Sequence, residues 1–469
     1  MLVHDAVPDN FTTDIVIPIP KGKNTNLTDS NNYRGIALSS IFGRIFDIIF
    51  INKHYDELST SELQFGFKKK RSTNQCSVVL KETIAYYVQQ DGMAYCTMLD
   101  ATKAFDRVQY CKLFRLLVDR KLSAVWVRLL ANMYTNSSTR IAWNGICSGT
   151  FLICNGVKQG GVLSPILFCV YLDGLLKLLS DAKVGCFVGT TFVGVLAYAD
   201  DLVLLAPTAG AMRRMLSVCD RYATEYAIVF NAKKSKWLLC GNNKYNADNA
   251  RFCIGGCVVE RVHSWPHLGH IISEDGDDES DINARRNSLC GQINNVITYF
   301  RNRPPLVKLS LMRNYCAGFY GCELWELDHS ALQFICTTWR KGLRRIWDLP
   351  YDTHNNLLPV LCNSIPVMDT ICCRSVNFIN NCLASDSHII RPIAYRSVFF
   401  SRALSPLGRN AQFCCQRYGV SLFDVQSIDV IYIKHWFFSK IDTDLMSRVV
   451  LLLELLFIRD ESFFFLDEV

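Results

Sequence analysis

Residues 194–207, "GVLAYADDLVLLAP", set two adjacent aspartates, Asp200 and Asp201, between two apolar runs. Apolar arms on either side of a short polar break describe a β-hairpin with the carboxylates at its turn. A sheet that buries those arms holds two like charges side by side. That arrangement costs several kcal/mol unless something positive sits on the pair. Taken alone, an Asp-Asp turn is an ordinary loop, but a third carboxylate changes the reading. Within "AYCTMLDAT" (94–102) a short apolar strand ends at Asp100, which leads into a helix start. Three carboxylates on two strand ends can hold Mg2+, which binds through a few carboxylates together with substrate phosphates rather than in an all-protein cage.

The rest of the chain supplies a setting for such a site. With 469 residues, half of them hydrophobic and 12% aromatic, the sequence can build two to four domains or sub-domains and is not a disordered polymer. The 50 Lys and Arg against 43 Asp and Glu give a net charge of +7, which suits an acidic partner such as nucleic acid, though many enzymes are as basic. The 21 Cys are scattered, form no CxxC pair and follow no signal peptide, so a reduced intracellular protein with small buried thiols is expected. No transmembrane helix is expected. Residues 449–458 make only about half a span, and the apolar run of 161–179 is interrupted by Pro165 and Asp173, which fits a buried core helix. There is no internal repeat.

Residues 14–24 read as a strand with Pro punctuation, and 39–55 as a helix capped by Ser39 or Ser40. Two amphipathic helices follow the Asp100 segment, and 139–153 alternates around an Asn-Gly turn. A helix leaves the aspartate hairpin, a helical stripe occupies 281–301, and helical patterns fill 302–469. Strands, helices and hairpins in this mixed order indicate an α+β fold. "NGVKQGGVLSPILFCVYLDGLL" (155–176) adds a flexible turn at Gln159, Gly160 and Gly161 whose backbone can approach a base or sugar closely, before Ser164 and Pro165 open an apolar helix.

The blocks "IPIPKGKN…NNYRGIALSSIFGRIFD", "LQFGFKKKRSTNQC", "LDATKAFDRV", "GVKQGGVLSPILFCVYLDGLL", "AYADDLVLLAP", "FNAKKSK" and "HLGHIIS" occur in this order. The series resembles that of the reverse transcriptases of non-LTR (LINE-type) retrotransposons over roughly residues 8 to 275. The resemblance implies an α+β right-hand polymerase with fingers (1–95), a palm (96–275) with inserted finger helices at about 110–150, a thumb-like helical region (276–349) and a helical C-terminal extension (350–469). It implies an RNA-directed DNA polymerase that uses two Mg2+ ions, with Mn2+ as a substitute. The substrates and partners would be an RNA template, a DNA primer or target DNA, and deoxynucleoside triphosphates.

Carried over residue by residue, Asp100 and Asp200 match the main metal ligands and Asp201 the supporting carboxylate. Lys234 matches a lysine that gives a proton to the leaving pyrophosphate. Lys21, Arg34, Ala101, Phe105 and Gln159 match nucleotide-binding positions. The basic pair reaches the triphosphate, and Phe105 lies under the incoming sugar, where it would clash with a 2′-hydroxyl. Arg71, Gly160, His267, Leu268 and Gly269 match template and primer positions, the last three in a hairpin that holds the primer end. His263, His267 and His270 are therefore not read as a metal site.

An RNA-directed RNA polymerase is disfavoured by Ala199 before the Asp pair and by Phe105. The details of "GVKQGGVLSP" and "LDATKAFD" fit the retrotransposon type better than a group II intron maturase or telomerase. About a dozen residues precede the first block, so a polymerase-only fragment without an endonuclease is expected, and part of the upstream finger segment is missing. No zinc knuckle or restriction-like nuclease motif is visible. A truncated or domesticated relic that binds RNA without polymerising is the alternative. Translation in the cytoplasm and action in the nucleus follow by implication of the family.

Overall fold

A computed structural model describes residues 7–22, 26–241 and 250–440. The apolar stretch at 449–458 lies outside them. The chain divides into two compact units: Met1–Cys76 with Gln90–His263, and Ser77–Gln89 with Ser264–Val469. The segments expected as thumb-like helices and as C-terminal extension thus share one unit, joined by residues 77–89 from far upstream.

The first unit is built on two sheets. In chain order its strands are β1 (Thr13–Pro20), β2 (Tyr33–Leu38), β3 (Ala94–Leu99), β4 (Ser138–Trp143), β5 (Ile146–Cys147), β6 (Phe151–Leu152), β7 (Phe187–Val188), β8 (Thr191–Phe192), β9 (Val195–Tyr198), β10 (Asp201–Ala206), β11 (Lys236–Cys240), β12 (Phe252–Ile254) and β13 (Cys257–Arg261). One sheet runs β2-β1-β4-β5, with β6 also on β4, and the other β12-β13-β11-β3-β10-β9. The Asn-Gly turn is present: Asn144 and Gly145 both take positive φ, as a two-residue hairpin turn with type I′ backbone requires.

The second sheet carries the candidate site. Every residue of β3 is buried, and five of the six in β10 are. Strands covered on both faces read as continuous apolar runs, which is why these segments lack alternation. The helices Ser164–Asp181 and Ala209–Glu225 pack on this sheet, and Thr97 donates across it to Met212 Sδ. Pro165 sits in the first turn of its helix, where no N–H is needed. Asp173 is the exception within that apolar helix. Its side chain is 1% exposed and receives the Ser61 N–H at 2.6 Å, the Arg120 guanidinium, and the Lys177 ammonium at 2.9 Å. Its charge is therefore matched, and it ties the loop of residues 56–72 to the helix.

The second unit is largely helical, with the hairpin β14 (Ser264–His267) and β15 (His270–Ser273) and the helices Glu279–Tyr299, Leu332–Ile346, Val367–Leu383 and Pro406–Tyr418 among its elements. A polar cluster lies in its interior. His270 places its ring nitrogens 3.1 Å from Asp281 and 3.5 Å from Asp278. Lys81 reaches Asp278 at 2.6 Å, and Trp325 Nε1 donates to Asp281 at 2.7 Å. Burial opposes ionisation of both aspartates, yet the Lys81 and His270 charges hold Asp278 well below the usual range, and the His270 contact does the same for Asp281. In return, the two aspartates beside it raise His270 against its own burial.

No helix among the described residues is long and apolar enough to cross a membrane. All 21 cysteines are free thiols, most of them buried.

Candidate active site

The three predicted carboxylates come together at one end of the second sheet. Leu99 on β3 faces Leu202 on β10 in an antiparallel pair, so Asp100 and Asp201 occupy the next step of the same register. Asp200 lies in the turn between β9 and β10, beside them. Burial raises the Asp200 carboxyl and the Asp100 charge adds to that, while Arg34 pulls it back. Asp201 is pushed up to about 6, by burial first and then by Asp200 and Asp100. Its residue surface nevertheless stays open to solvent at the end of the strand.

Such a donor set fits a divalent cation. Three clustered hard oxygen ligands, of which Asp200 and Asp201 are pushed toward protonation, gain from a cation that favours the ionised form. Among the described residues, no group of three or more His, Cys, Asp and Glu side chains is gathered closely enough to hold a metal ion. A cation here would complete its shell with oxygens from outside the protein.

Backbone bonds brace Asp100 from the far side. Its N–H donates to Ser235 Oγ at 3.1 Å and its carbonyl accepts from Asn231 N–H at 2.8 Å. Thr102 N–H bonds Val229, and Ala101 bridges Phe230. The 231–235 loop thus brings the exposed Lys234 next to the Asp100 backbone.

Phe105 stacks on Phe168, ring centroids 4.9 Å apart and planes at 14°, with part of its surface left open. It is a rigid aromatic step rather than a mobile side chain. Gln159 Nε2 donates to Asp106 at 3.2 Å, and Gln159 carbonyl accepts from Ala37 N–H at 2.7 Å. Gly160 next to it has φ +102°, and a Cβ there would meet Ala37 O at 2.9 Å, so only glycine lets this loop lie against β2. Lys158 anchors the same loop on buried Asp14 at 2.6 Å. Asp47 bonds Leu163 N–H at 3.2 Å, and its burial raises it to about 6. Arg34 is exposed on β2, while Lys21 spends its ammonium on the Asn31 carbonyl at 2.8 Å.

Two positions expected to contact nucleic acid have largely buried side chains. The Arg71 side chain is 7% exposed and pairs with Glu62 at 3.3 Å, so it packs the 56–72 loop and presents little charge to a phosphate. His267 is 6% exposed, and burial followed by the His270 charge lowers it to about 4, which makes it a neutral interior ring. What its hairpin does expose is the turn itself. Leu268 and Gly269 both have positive φ, and the turn is held by Tyr320 Oη on the Leu268 carbonyl at 2.9 Å and by Arg285 on the Gly269 carbonyl.

One participant carried no local signal. Gln64 is completely buried; its Oε1 accepts from the Ala199 N–H and its Nε2 donates to the Ala199 carbonyl in the aspartate turn. The only trace in the sequence is a polar residue inside the apolar string "LQFGF".

Comparison with known proteins agrees with this arrangement. The family profile described as reverse transcriptase (RNA-dependent DNA polymerase) matches residues 19–272. The Retrovirus-related Pol polyprotein from type-1 retrotransposable element R2 of Nasonia vitripennis is 26% identical over 60% of this chain and 28% of its own length. A Popillia japonica R2 polyprotein is 35% identical over 55% of this chain and 43% of its own. A Candida Tropicalis telomerase solved with a TWJ fragment of telomeric RNA matches at TM-score 0.44 and 11% identity, over 83% of this chain and 65% of that one, a likeness too loose to argue from. The chain spans between 23% and 40% of the length of the first three curated relatives it matches. With a family match across more than half of its residues, and with retrotransposon polyproteins as its relatives, this chain belongs to the reverse transcriptase (RNA-dependent DNA polymerase) family, among the non-LTR members.

Proposed function

We propose that the chain is an RNA-directed DNA polymerase of a non-LTR retrotransposon that joins deoxynucleotides to a primer 3′-hydroxyl on an RNA template. The observation that carries this reading is the meeting of Asp100, Asp200 and Asp201 at one end of adjacent strands. In this reading the first unit holds fingers and palm and the second the thumb-like helices, and the work is done on nuclear DNA after synthesis in the cytoplasm.

The three carboxylates would hold two Mg2+ ions, or Mn2+ in their place. When bound, these ions supply the positive charge that activates the primer hydroxyl and stabilises the leaving pyrophosphate. The remaining work belongs to side chains. Arg34, exposed and within electrostatic reach of Asp200, meets the triphosphate. Phe105, fixed by its stack on Phe168, takes the volume a 2′-hydroxyl would need. Gln159 and Gly160 set the loop on which base and sugar rest. Lys234 Nζ, on an exposed loop tied to the Asp100 backbone, donates a proton to pyrophosphate.

Primer extension by the purified protein tests the reading, using an annealed RNA template and DNA primer, Mg2+ and deoxynucleotides beside Asp200→Asn. Extension by the wild type alone is expected. A folded wild type that binds the primed template without extending it would overturn the polymerase reading and favour an RNA-binding relic.

A further inference from the structure

Ala199, the residue before the Asp pair, has φ +57°, the left-handed region that alanine enters only at a cost. Something must hold it there, and the groups that do so come from 135 residues upstream. Gln64 Oε1 accepts from Ala199 N–H at 2.9 Å, and its Nε2 donates to the Ala199 carbonyl at 3.3 Å. The same oxygen accepts from Gly66 N–H at 2.9 Å. With two backbone N–H groups facing the oxygen and a carbonyl facing the nitrogen, the carboxamide has one orientation that satisfies every partner.

The surrounding chain supports this grip. Phe65 N–H bonds the Ala197 carbonyl at 2.7 Å and Ala197 N–H bonds the Leu63 carbonyl at 2.9 Å, so residues 63–65 lie as a short parallel rung on the free edge of β9. At Gly66 a Cβ would stand 2.5 Å from Ala199 N, so no other residue lets the segment come this close. The segment is itself moored through Ser61 to buried Asp173.

We propose that Gln64 is a positioning residue for the catalytic hairpin: its buried carboxamide holds the Ala199 peptide in the left-handed conformation that sets Asp200 and Asp201 against Asp100. The inference rests on the polymerase reading. Gln64 touches no substrate. It acts on where two carboxylates stand, through an uncharged group that leaves their electrostatics to the bound cation and to Arg34.

The test uses Gln64→Met, which keeps side-chain length and removes both hydrogen-bonding atoms. Gly66→Ala disturbs the same turn from the other side, and each change is also made in an Ala199→Gly background. Glycine adopts this φ without strain, so the clamp matters less there. Single-turnover primer extension is expected to fall by about ten- to a hundredfold for Gln64→Met, with primed-template affinity unchanged. The same substitution should cost less than threefold in the Ala199→Gly background, the non-additivity expected of groups that act as one. Mn2+ binding to the enzyme with primed template, followed by electron paramagnetic resonance, gives a readout separate from turnover. Gln64→Met should need several times more Mn2+ for half occupancy, and Ala199→Gly should restore it. Should Gln64→Met fail to fold, Gly66→Ala carries the same expectations. Wild-type rate and Mn2+ affinity in a folded Gln64→Met or Gly66→Ala protein would overturn the proposal, as would equal losses in both backgrounds. A wild type that does not extend the primer would overturn the polymerase reading instead. The Mn2+ titration would then still decide whether Gln64 sets the carboxylates.

Discussion

Asp173→Ala should destabilise the first unit and loosen the Asp200–Asp201 turn at a distance. The carboxylate lies 1% exposed inside the helix Ser164–Asp181 and has three partners, Ser61 N–H, Arg120 and Lys177. Removing one side of a buried ion pair costs about 3–5 kcal/mol, because the other side is left desolvated and unpaired. The partners do not contribute equally. Lys177 is 60% exposed and rehydrates, so its share is small. Arg120 is 17% exposed, and it also bonds the carbonyls of Glu57 and Ser59, which remain to it. The Ser61 N–H is left without an acceptor at about 1 kcal/mol or somewhat more. The sum falls at the low end, about 3 kcal/mol, or about 6–12 °C in the melting temperature of a unit this size. Because Ser61 leads directly to the 63–66 segment, amide exchange at Phe65 and Ala199 should accelerate more than exchange in β3. Urea unfolding gives the global change and mass-resolved hydrogen exchange the local one. A loss under about 1 kcal/mol with unchanged exchange at Phe65 would refute the tether.

Phe105→Ala should raise incorporation of ribonucleotides on a primed RNA template by about tenfold or more, because the volume that excludes a 2′-hydroxyl is gone; unchanged discrimination would assign Phe105 to packing on Phe168 alone. Chelation of divalent metal with EDTA should abolish extension, and added Mg2+ or Mn2+ should restore it, read in the same assay. The second unit should be most stable between about pH 4 and 6.5. His270, raised by its aspartates, gives stability that is complete below its ordinary value of 6.5 and is lost as pH climbs through its folded value. Asp278 and Asp281, lowered by Lys81 and His270, give stability that is present above 3.8 and lost as pH falls. His270→Ala should remove the alkaline arm of that profile in thermal melts, and a curve of unchanged shape would refute the coupling.

How much of this could be read from the chain depends on range. The aspartate hairpin and the strand ending at Asp100 were legible because apolar arms, a polar break and the next carboxylate fall within short windows. A serine cap, Ser39 or Ser40, was legible for the same reason, and Ser40 caps the helix Ile41–Lys53. Asp173, by contrast, read as an interruption of an apolar helix, because its partners Ser61 and Arg120 lie 112 and 53 residues away. Gln64 was invisible for that reason too. The burial of Arg71 and His267 was not legible, since a charge or an imidazole in a motif says nothing of its exposure; in the structure Arg71 pairs with Glu62 and His267 lies inside its hairpin. Nor could the sequence announce that residues 77–89 join the second unit, since Glu82 finds its partners at Ser397 and Leu407.

The distribution of charge in the first unit argues for how the site is meant to be completed. Two of its buried carboxylates away from the turn are matched by the protein's own cations: Asp173 by Arg120 and Lys177, Asp14 by Lys158; Asp47 is held instead by the Leu163 N–H. The site carboxylates are treated differently. The groups that fix their backbone, Gln64, Ser235 and Asn231, carry no charge, and Arg34 acts on Asp200 only from an exposed strand. A lysine or arginine seated among Asp100, Asp200 and Asp201 would settle their repulsion and occupy the ground a metal ion needs. Burial first, and then the unsettled repulsion from Asp200 and Asp100, pushes Asp201 up, and a bound divalent cation would offset both. Placing a lysine at the neighbouring Ala101 should therefore stabilise the folded protein against heat while raising the Mg2+ concentration needed for extension. A variant that melts higher and keeps its wild-type Mg2+ requirement would show that the missing positive charge is not what reserves this site for metal.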